Sequence, residues 1–469
     1  MSFTKSLLLG SAAALATVVG AQAADLPSKK AAPATYVKIC DAYGAGFFYI
    51  PGSETCVKLG GYVRAQYDYT PGKDTILLSD GKIQQSGKNQ SETGFEVRGR
   101  IDVDARTPTS MGVARTFVRL RAANTSGIRN TTINNLGKSS TDDKIAGYAQ
   151  SDNSTTAISI ESAMVQWAGF TFGVGAENYA LMPAPIYSGT PWAGFPNGIK
   201  QIAYTAVLGG GWSATLAIED SKDFGYQQVA FDRPQTAAYV VGNVRLDQAW
   251  GFAALHGMVG NNSRDNKEIN GLVNTGQKTY GGWAVGATVS YKLPMIAAGD
   301  QIWVTANYTD GLLGAVLGGS GLNNLSTAAA HRIMSGVLRV DTNTVQTNNV
   351  TASVATPATF DTVTAWNLGA IYTHYWASNL RSSFSAGYVE ISPPTSAKAD
   401  TWGKGKAWEV SGSLIYSPVK DLDIGLEVQY ANLKNTVQNL DPVGAFVKAG
   451  SPGLSVNNTS AKLRIDRAF

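Results

Sequence analysis

The chain has 469 residues, 15% of them charged and 10% aromatic, with 51 glycines, 20 tyrosines and 10 tryptophans. A soluble α/β enzyme carries nearer a quarter charged residues, so the composition points away from that class. Lys+Arg (38) and Asp+Glu (34) leave a net charge of +4, too balanced for a nucleic-acid partner, so only the placement of the charges is informative.

The first element, residues 1–23, reads as a secretory signal. Lys5 supplies a positive start, LLLGSAAALATVV a short apolar core, and Ala21, Gln22 and Ala23 a small-residue site, which predicts cleavage between Ala23 and Ala24. The core is roughly 13 residues against the ~20 a bilayer-spanning helix needs, and no later apolar run is long enough either. An N-terminal segment follows over 24–55. Cys40 and Cys56 are an even, closely spaced pair in a chain expected to be exported, with no histidine nearby to build a metal site, and read as a disulfide. No cofactor or metal motif stands out elsewhere.

From Cys56 onward the dominant signal is period two. In CVKLGGYVRAQYDY, Val57, Leu59, Val63, Tyr67 and Tyr69 share one face, while Lys58, Tyr62, Arg64, Gln66 and Asp68 share the other. FEVRGRIDVDART alternates without a miss: Phe95, Val97, Ile101 and Val103 oppose Glu96, Arg98, Arg100, Asp102, Asp104 and Arg106. Strand side chains alternate between two faces, so this segment has one oily and one charged face. VARTFVRLRA continues it, with Arg115, Phe117, Arg119 and Arg121 on the charged side. Such runs predict strands near 56–69, 94–107, 112–123, 157–168, 170–176, 198–207, 211–219, 237–247, 250–259, 281–292, 300–309, 363–376, 380–390, 406–417, 422–432 and 459–469.

Short turns (PTSM, AG, GG, SPVKD) alternate with stretches of roughly 15 to 50 residues rich in Asn, Ser, Thr and Gly, as in bacterial outer-membrane barrels with short periplasmic turns and long external loops. Trp167, Trp250, Trp283, Trp366, Trp376 and Trp408 fall near strand ends, as do Tyr67, Tyr69, Phe95, Phe170 and Tyr291. Amphipathic rings collect at both water–lipid boundaries. The fold class is therefore all-β: a transmembrane antiparallel β-barrel of sixteen strands filling 56–469, placed in the outer membrane and contacting its lipid. In lipid every backbone polar group must pair, and a closed barrel does this without an edge. The charged face of each strand then meets a water-filled lumen.

YVKICDAYGAGFFYIPGSETCVKLGGYVRAQYDY resembles the mature amino termini of the alphaproteobacterial outer-membrane porins. The matching residues are Val37, Lys38, Cys40, Ala42, Tyr43, Gly44, Tyr49, Ile50, Pro51, Gly52, Thr55, Cys56, Lys58, Gly61, Tyr62, Val63 and Arg64. VQWAGFTFG (165–173) is similar to the family's fourth and fifth strands. The resemblance implies a trimeric general-diffusion porin passing small hydrophilic solutes and ions, and no enzyme. Phe469, closing the alternating AKLRIDRAF, resembles the assembly signal of such barrels.

The expected pore-lining residues are Arg64, Glu96, Arg98, Arg100, Asp102, Asp104, Arg115, Arg119 and Arg121. With the turn centred between Thr109 and Ser110, Arg100 faces Arg119, Arg98 faces Arg121 and Asp104 faces Arg115. Like charges directly opposite destabilise a sheet, but in a narrow pore they form one wall of a constriction. The alternative is that nearby carboxylates neutralise them and they only hold the barrel's shape. In sixteen-stranded porins the third external loop folds inward; here it is NYALMPAPIYSGTPWAGFPNGI (178–199), which carries no acid. An opposing acidic wall would have to come from Asp68, Glu161, Glu219 or Glu427. His374 falls on the lipid-side parity beside Tyr372 and Trp376, an interfacial position. A barrel phospholipase pairing it with Ser378 is the disfavoured enzyme reading, and a channel specific for one sugar or acidic metabolite is the transport alternative. The loop near 310–362, almost uncharged, reads as a surface element or a shield over the barrel mouth.

Overall fold

The structure, a computed structural model, describes residues 38–70, 73–77, 83–87, 92–127, 155–182, 185–187, 198–220, 232–233, 238–264, 278–317, 337–339, 360–392, 404–435 and 454–469. The expected cleavage site at Ala23–Ala24, residues 24–37 and most of the 310–362 loop lie outside them.

Sixteen long strands close into one antiparallel barrel. They are β1 (Cys56–Tyr69), β2 (Thr93–Thr109), β3 (Gly112–Thr125), β4 (Thr155–Trp167), β5 (Phe170–Gly175), β6 (Ile199–Gly209), β7 (Trp212–Asp220) and β8 (Ala238–Gln248). The second half comprises β9 (Gly251–Arg264), β10 (Lys278–Lys292), β11 (Gln301–Asp310), β12 (Thr364–Ala377), β13 (Leu380–Ser392), β14 (Gly405–Val419), β15 (Leu422–Asn435) and β16 (Leu454–Ala468). Each pairs with the next, and β16 returns to β1 from Tyr62↔Ala468 to Tyr69↔Ala461. Every strand read from period two is present. Several run further than the alternation does, β16 starting at Leu454 and β9 ending at Arg264, because hydrogen bonding continues where neither face has lipid to meet.

Sidedness is settled by burial. Ile101, Leu216 and Leu255 are 55, 62 and 69% exposed on the outer face, whereas Gln66, Glu409 and Glu427 are 1–2% exposed within. A water-soluble fold would have the reverse arrangement. No helix among the described residues is long and apolar enough to cross a membrane; the strands do the crossing. Two belts of aromatic pairs ring the outer face. Tyr67–Phe95, Trp283–Tyr308, Trp366–Tyr388 and Trp408–Tyr430 stand 4.8–5.4 Å apart at the long-loop end. Phe170–Tyr204 and Trp250–Tyr291 mark the short-turn end.

Most short turns have two residues. Ala168 (φ 50°) with Gly169 (φ 86°), and Asp421 (φ 63°), adopt the left-handed backbone that matches the twist of the strands they join. Below this end, residues 38–55 fold back against the start of β1. Phe48 and Tyr49 pair with Val57 and Cys56, and Cys40 and Cys56 form the expected disulfide. Cys40, Phe47 and Cys56 make a small dry cluster, with the Arg106 guanidinium 4.8 Å above the Phe47 ring.

Candidate pore and its charged wall

The inward faces of β1, β2, β3 and β16 form a wall of arginines. The β2–β3 register differs from the expected one by two residues. The turn is Ser110–Met111, one position later, with Gly112 at φ 103°, a conformation open to glycine; Thr109 Oγ1 donates to the Gly112 carbonyl at 2.6 Å. Arg100 therefore faces Arg121, not Arg119; Arg98 faces Ala123, not Arg121; and Asp104 faces Phe117, not Arg115. Like-charge facing pairs nevertheless persist: Arg100↔Arg121, Arg106↔Arg115 and, across the other edge of β2, Arg64↔Arg98.

Carboxylates interleave with these pairs. Asp102 takes a bidentate bond from Arg119 (3.0 and 3.1 Å) and an ion pair from Arg100 (3.2 Å). Asp104 receives bidentate bonds from both Arg106 and Arg115, the latter along the diagonal. Arg64 bridges the seam to Asp466 at 2.6 Å, and Arg98 reaches Glu96 at 2.8 Å. Glu161 enters through a β-bulge. Leu120 pairs with Ile160 and Arg119 with Ser162, so Glu161 is the extra residue, and it meets Arg121 at 2.9 Å and Arg98 at 4.0 Å. A bulge adds one unpaired residue, here one whose carboxylate points into the bore. Because Asp102, Asp104 and Glu161 each serve two arginines, the wall keeps an excess of positive charge. Tyr62 holds the lower arginines in place: its ring lies 4.3 Å from Arg100 and 4.9 Å from Arg64, and its hydroxyl accepts from Arg98 at 3.4 Å.

The loop after β5 folds into the barrel, as its position implies. At its root, the Asn178 backbone and side-chain amides donate to Glu219 Oε1 at 2.8 and 2.6 Å, and Asn243 donates to the Asn178 carbonyl at 2.9 Å. Tyr179 then packs edge-on to His256 at 4.6 Å, and Met182 and Ile186 pack on Phe252, Ala254, Trp303 and Ile371. At the far side, Tyr187 N–H donates to Glu427 at 2.5 Å, and the Arg464 guanidinium lies 4.0 Å over the Tyr187 ring. Gly425 permits this close approach, since any Cβ there would overlap the Tyr187 hydroxyl. Burial pushes the Tyr187 phenol up to about 12, against the opposing Arg464 charge, so it stays neutral. The segment thus bridges the bore from β7 and β8 to β15 and β16.

A second inward segment has no counterpart in the sequence reading. Leu312, Leu313, Val316 and Leu317, directly after β11, are fully buried, and Asn367 donates to the Val316 carbonyl at 2.5 Å. Leu312 and Ala315 join Tyr179, Tyr239, Val241, Met258 and Ala284 in a dry cluster. The side of the bore lined by β8–β10 is therefore packed with apolar side chains. The side lined by β1–β4 keeps its arginines partly accessible, with side chains 17–33% exposed from Arg98 to Arg121.

With this geometry in view, the comparisons with known proteins are decisive for the family. Residues 25–451 match the profile of the Porin subfamily. The chain belongs to that family. Porin Omp2b of Brucella canis is 34% identical over 266 residues, which cover 53% of this chain and 64% of the relative; Porin Omp2a of Brucella ovis is 32% identical over 254 residues. The chain thus spans less than two thirds of the first of these. Among solved structures, the outer membrane channel DcaP of Acinetobacter baumannii shares the fold at a TM-score of 0.55 and 17% identity, covering 90% of this chain and 99% of that one. Membership places the barrel in the outer membrane.

In this porin all nine expected pore-lining residues stand on the inward face. The expected opposing acids do not form a facing wall. Glu161 sits within the arginine wall, Asp68 receives both 2.8 Å bonds of the Gln66 amide, Glu427 holds Tyr187, and Glu219 is sealed beneath the loop root. Arg464, which donates to Gln66 at 2.6 Å, and Asp466 went unremarked in the sequence, although both fall on the inward parity of β16. His374 lies at the short-turn end. Its Nδ1 is 2.7 Å from Asp300, which also accepts from Tyr372 Oη at 2.6 Å and Tyr375 N–H at 2.9 Å. Burial opposes ionisation of Asp300, but these three donors outweigh it and hold its pKa below the usual carboxylate range. Phe469 closes the seam through reciprocal backbone bonds with Gly61 at 3.1 and 3.2 Å.

Proposed function

We propose that the chain forms a passive-diffusion channel for small hydrophilic solutes and ions, assembled as a homotrimer of barrels in the outer membrane. The trimer rests on the family resemblance. Domain limits follow the same reading: residues 24–55 form a periplasmic segment tied by the disulfide, and 56–469 the pore. The observation that carries the proposal is a charged inward wall facing an inward-folded loop whose sequence from 178 to 199 contains no acid. The arginines and loop together act as the constriction. Low-dielectric walls focus the field of this excess positive charge, which favours anions over cations. Refolded protein in planar bilayers should give stepwise conductance, with a reversal potential in a KCl gradient on the anion-selective side. Absence of steps overturns the channel reading, and a cation-selective potential overturns the role given to the arginine wall.

A further inference from the structure

The root of the inward loop carries more negative charge than its hydrogen bonds account for. Glu177 is 4% exposed and Glu219 is fully buried. Glu219 Oε1 is satisfied by Asn178, but its Oε2 has no partner, and neither oxygen of Glu177 has one. The Tyr179 hydroxyl, on a fully buried side chain, is unpartnered too. Glu177 lies within electrostatic reach of both Glu219 and Tyr179. The nearby donors are already committed: Asn178 Nδ2 serves Gln201 Oε1 and Glu219 Oε1, both at 2.6 Å, and Gln201 Nε2 serves the Ala176 carbonyl at 2.6 Å. Lys200 is turned outward and pairs with Asp220 at 3.8 Å. Three side chains at the loop root thus hold four buried oxygens without a partner, and no positive charge acts on either carboxylate. A buried carboxylate pair without a counter-charge is strongly disfavoured.

We propose that Glu177 and Glu219 hold a hard divalent cation of the calcium type, tying the root of the inward loop to β7. The donor set is oxygen only, which suits calcium and excludes soft transition metals. Among the described residues no third acidic, histidine or cysteine side chain joins the pair, so the Tyr179 hydroxyl and water complete the shell. So few protein ligands place the affinity with extracellular calcium modules, with Kd on the order of 10⁻⁴–10⁻³ M. The proposal concerns the fold and does not depend on what passes through the pore.

The test is calorimetric titration of CaCl₂ into refolded, lipopolysaccharide-free protein in detergent after EDTA dialysis, at constant ionic strength. The expected result is one bound calcium per chain, with at least tenfold weaker binding in Glu177→Gln and in Glu219→Gln and no change in Asp220→Asn. Heat-modifiable electrophoretic migration confirms that each variant has folded; should either Gln variant fail it, Glu177→Asp replaces it and is also expected to bind at least tenfold more weakly. No uptake up to about 10 mM, or uptake that survives these substitutions in folded protein, overturns the site. A proton shared by the two carboxylates would produce the first of those results.

Discussion

Asp102 sits between Arg100 and Arg119 and pairs with both. Asp102→Asn should leave both arginines less compensated, moving the reversal potential further toward anions. The pair is partly accessible, so the stability cost is about 1 kcal/mol, read from urea unfolding in detergent. Asp300 offers a pH test at the same scale. Its pKa is held below the ordinary carboxylate value, so its contribution is present above that value and lost as pH falls through the lower folded one. Asp300→Asn should therefore speed amide exchange in the 293–300 turn at pH 7, and the difference from the native chain should close below about pH 4. Single residues also show what period two hides. The bulge at Glu161 resets the parity of β4, so that Val165 and Trp167 face out along with Ile158 and Ile160, and the Arg100–Arg121 pairing turns on where a two-residue turn falls. Both depend on local backbone geometry to which alternation is blind.

At the scale of elements, the strands were legible because each has lipid on one side and water or packed polar groups on the other, so the environment writes its period into the chain. The loops have no such constraint. The inward course of 178–187 follows from its place after β5 together with Met182 and Ile186, apolar residues with no strand to belong to. LLGAVL at 312–317 offered the same clue in a segment that reads as a surface element. Tyr187 anchors the far end of the first of these loops, so Tyr187→Ala should free it from Glu427 and Arg464. Single-channel records should then show larger and noisier steps than the native chain. At the other end of the barrel, Cys40→Ser should loosen residues 38–55 while leaving the strands intact. A cross-link across about 15 residues contributes about 3 kcal/mol by chain entropy, and proteolysis of that segment with unchanged heat-modifiable migration would register its loss.

For the whole molecule, everything rests on which face meets lipid. Leu216 lies mid-strand on the outer face of β7 and Thr215 on the inner. An arginine at the bilayer midplane costs about 2–4 kcal/mol, so Leu216→Arg should depress folding into vesicles. Thr215→Arg should lose little more than its 2.9 Å bond to Thr205, about 1 kcal/mol. Equal effects in the two variants would contradict the sidedness.

The join between β1 and β16 has a consequence for how such a cylinder comes into being. Arg64 and Asp466, 402 positions apart, are partners. The ring has no local route to completion, and fifteen hairpin-built staves must wait with two raw margins until the final segment arrives. Unpaired margins invite neighbouring chains. Slow supply of the carboxyl-terminal stave, rather than weak pairing anywhere along the wall, is then the step at which aggregation competes with a finished tube.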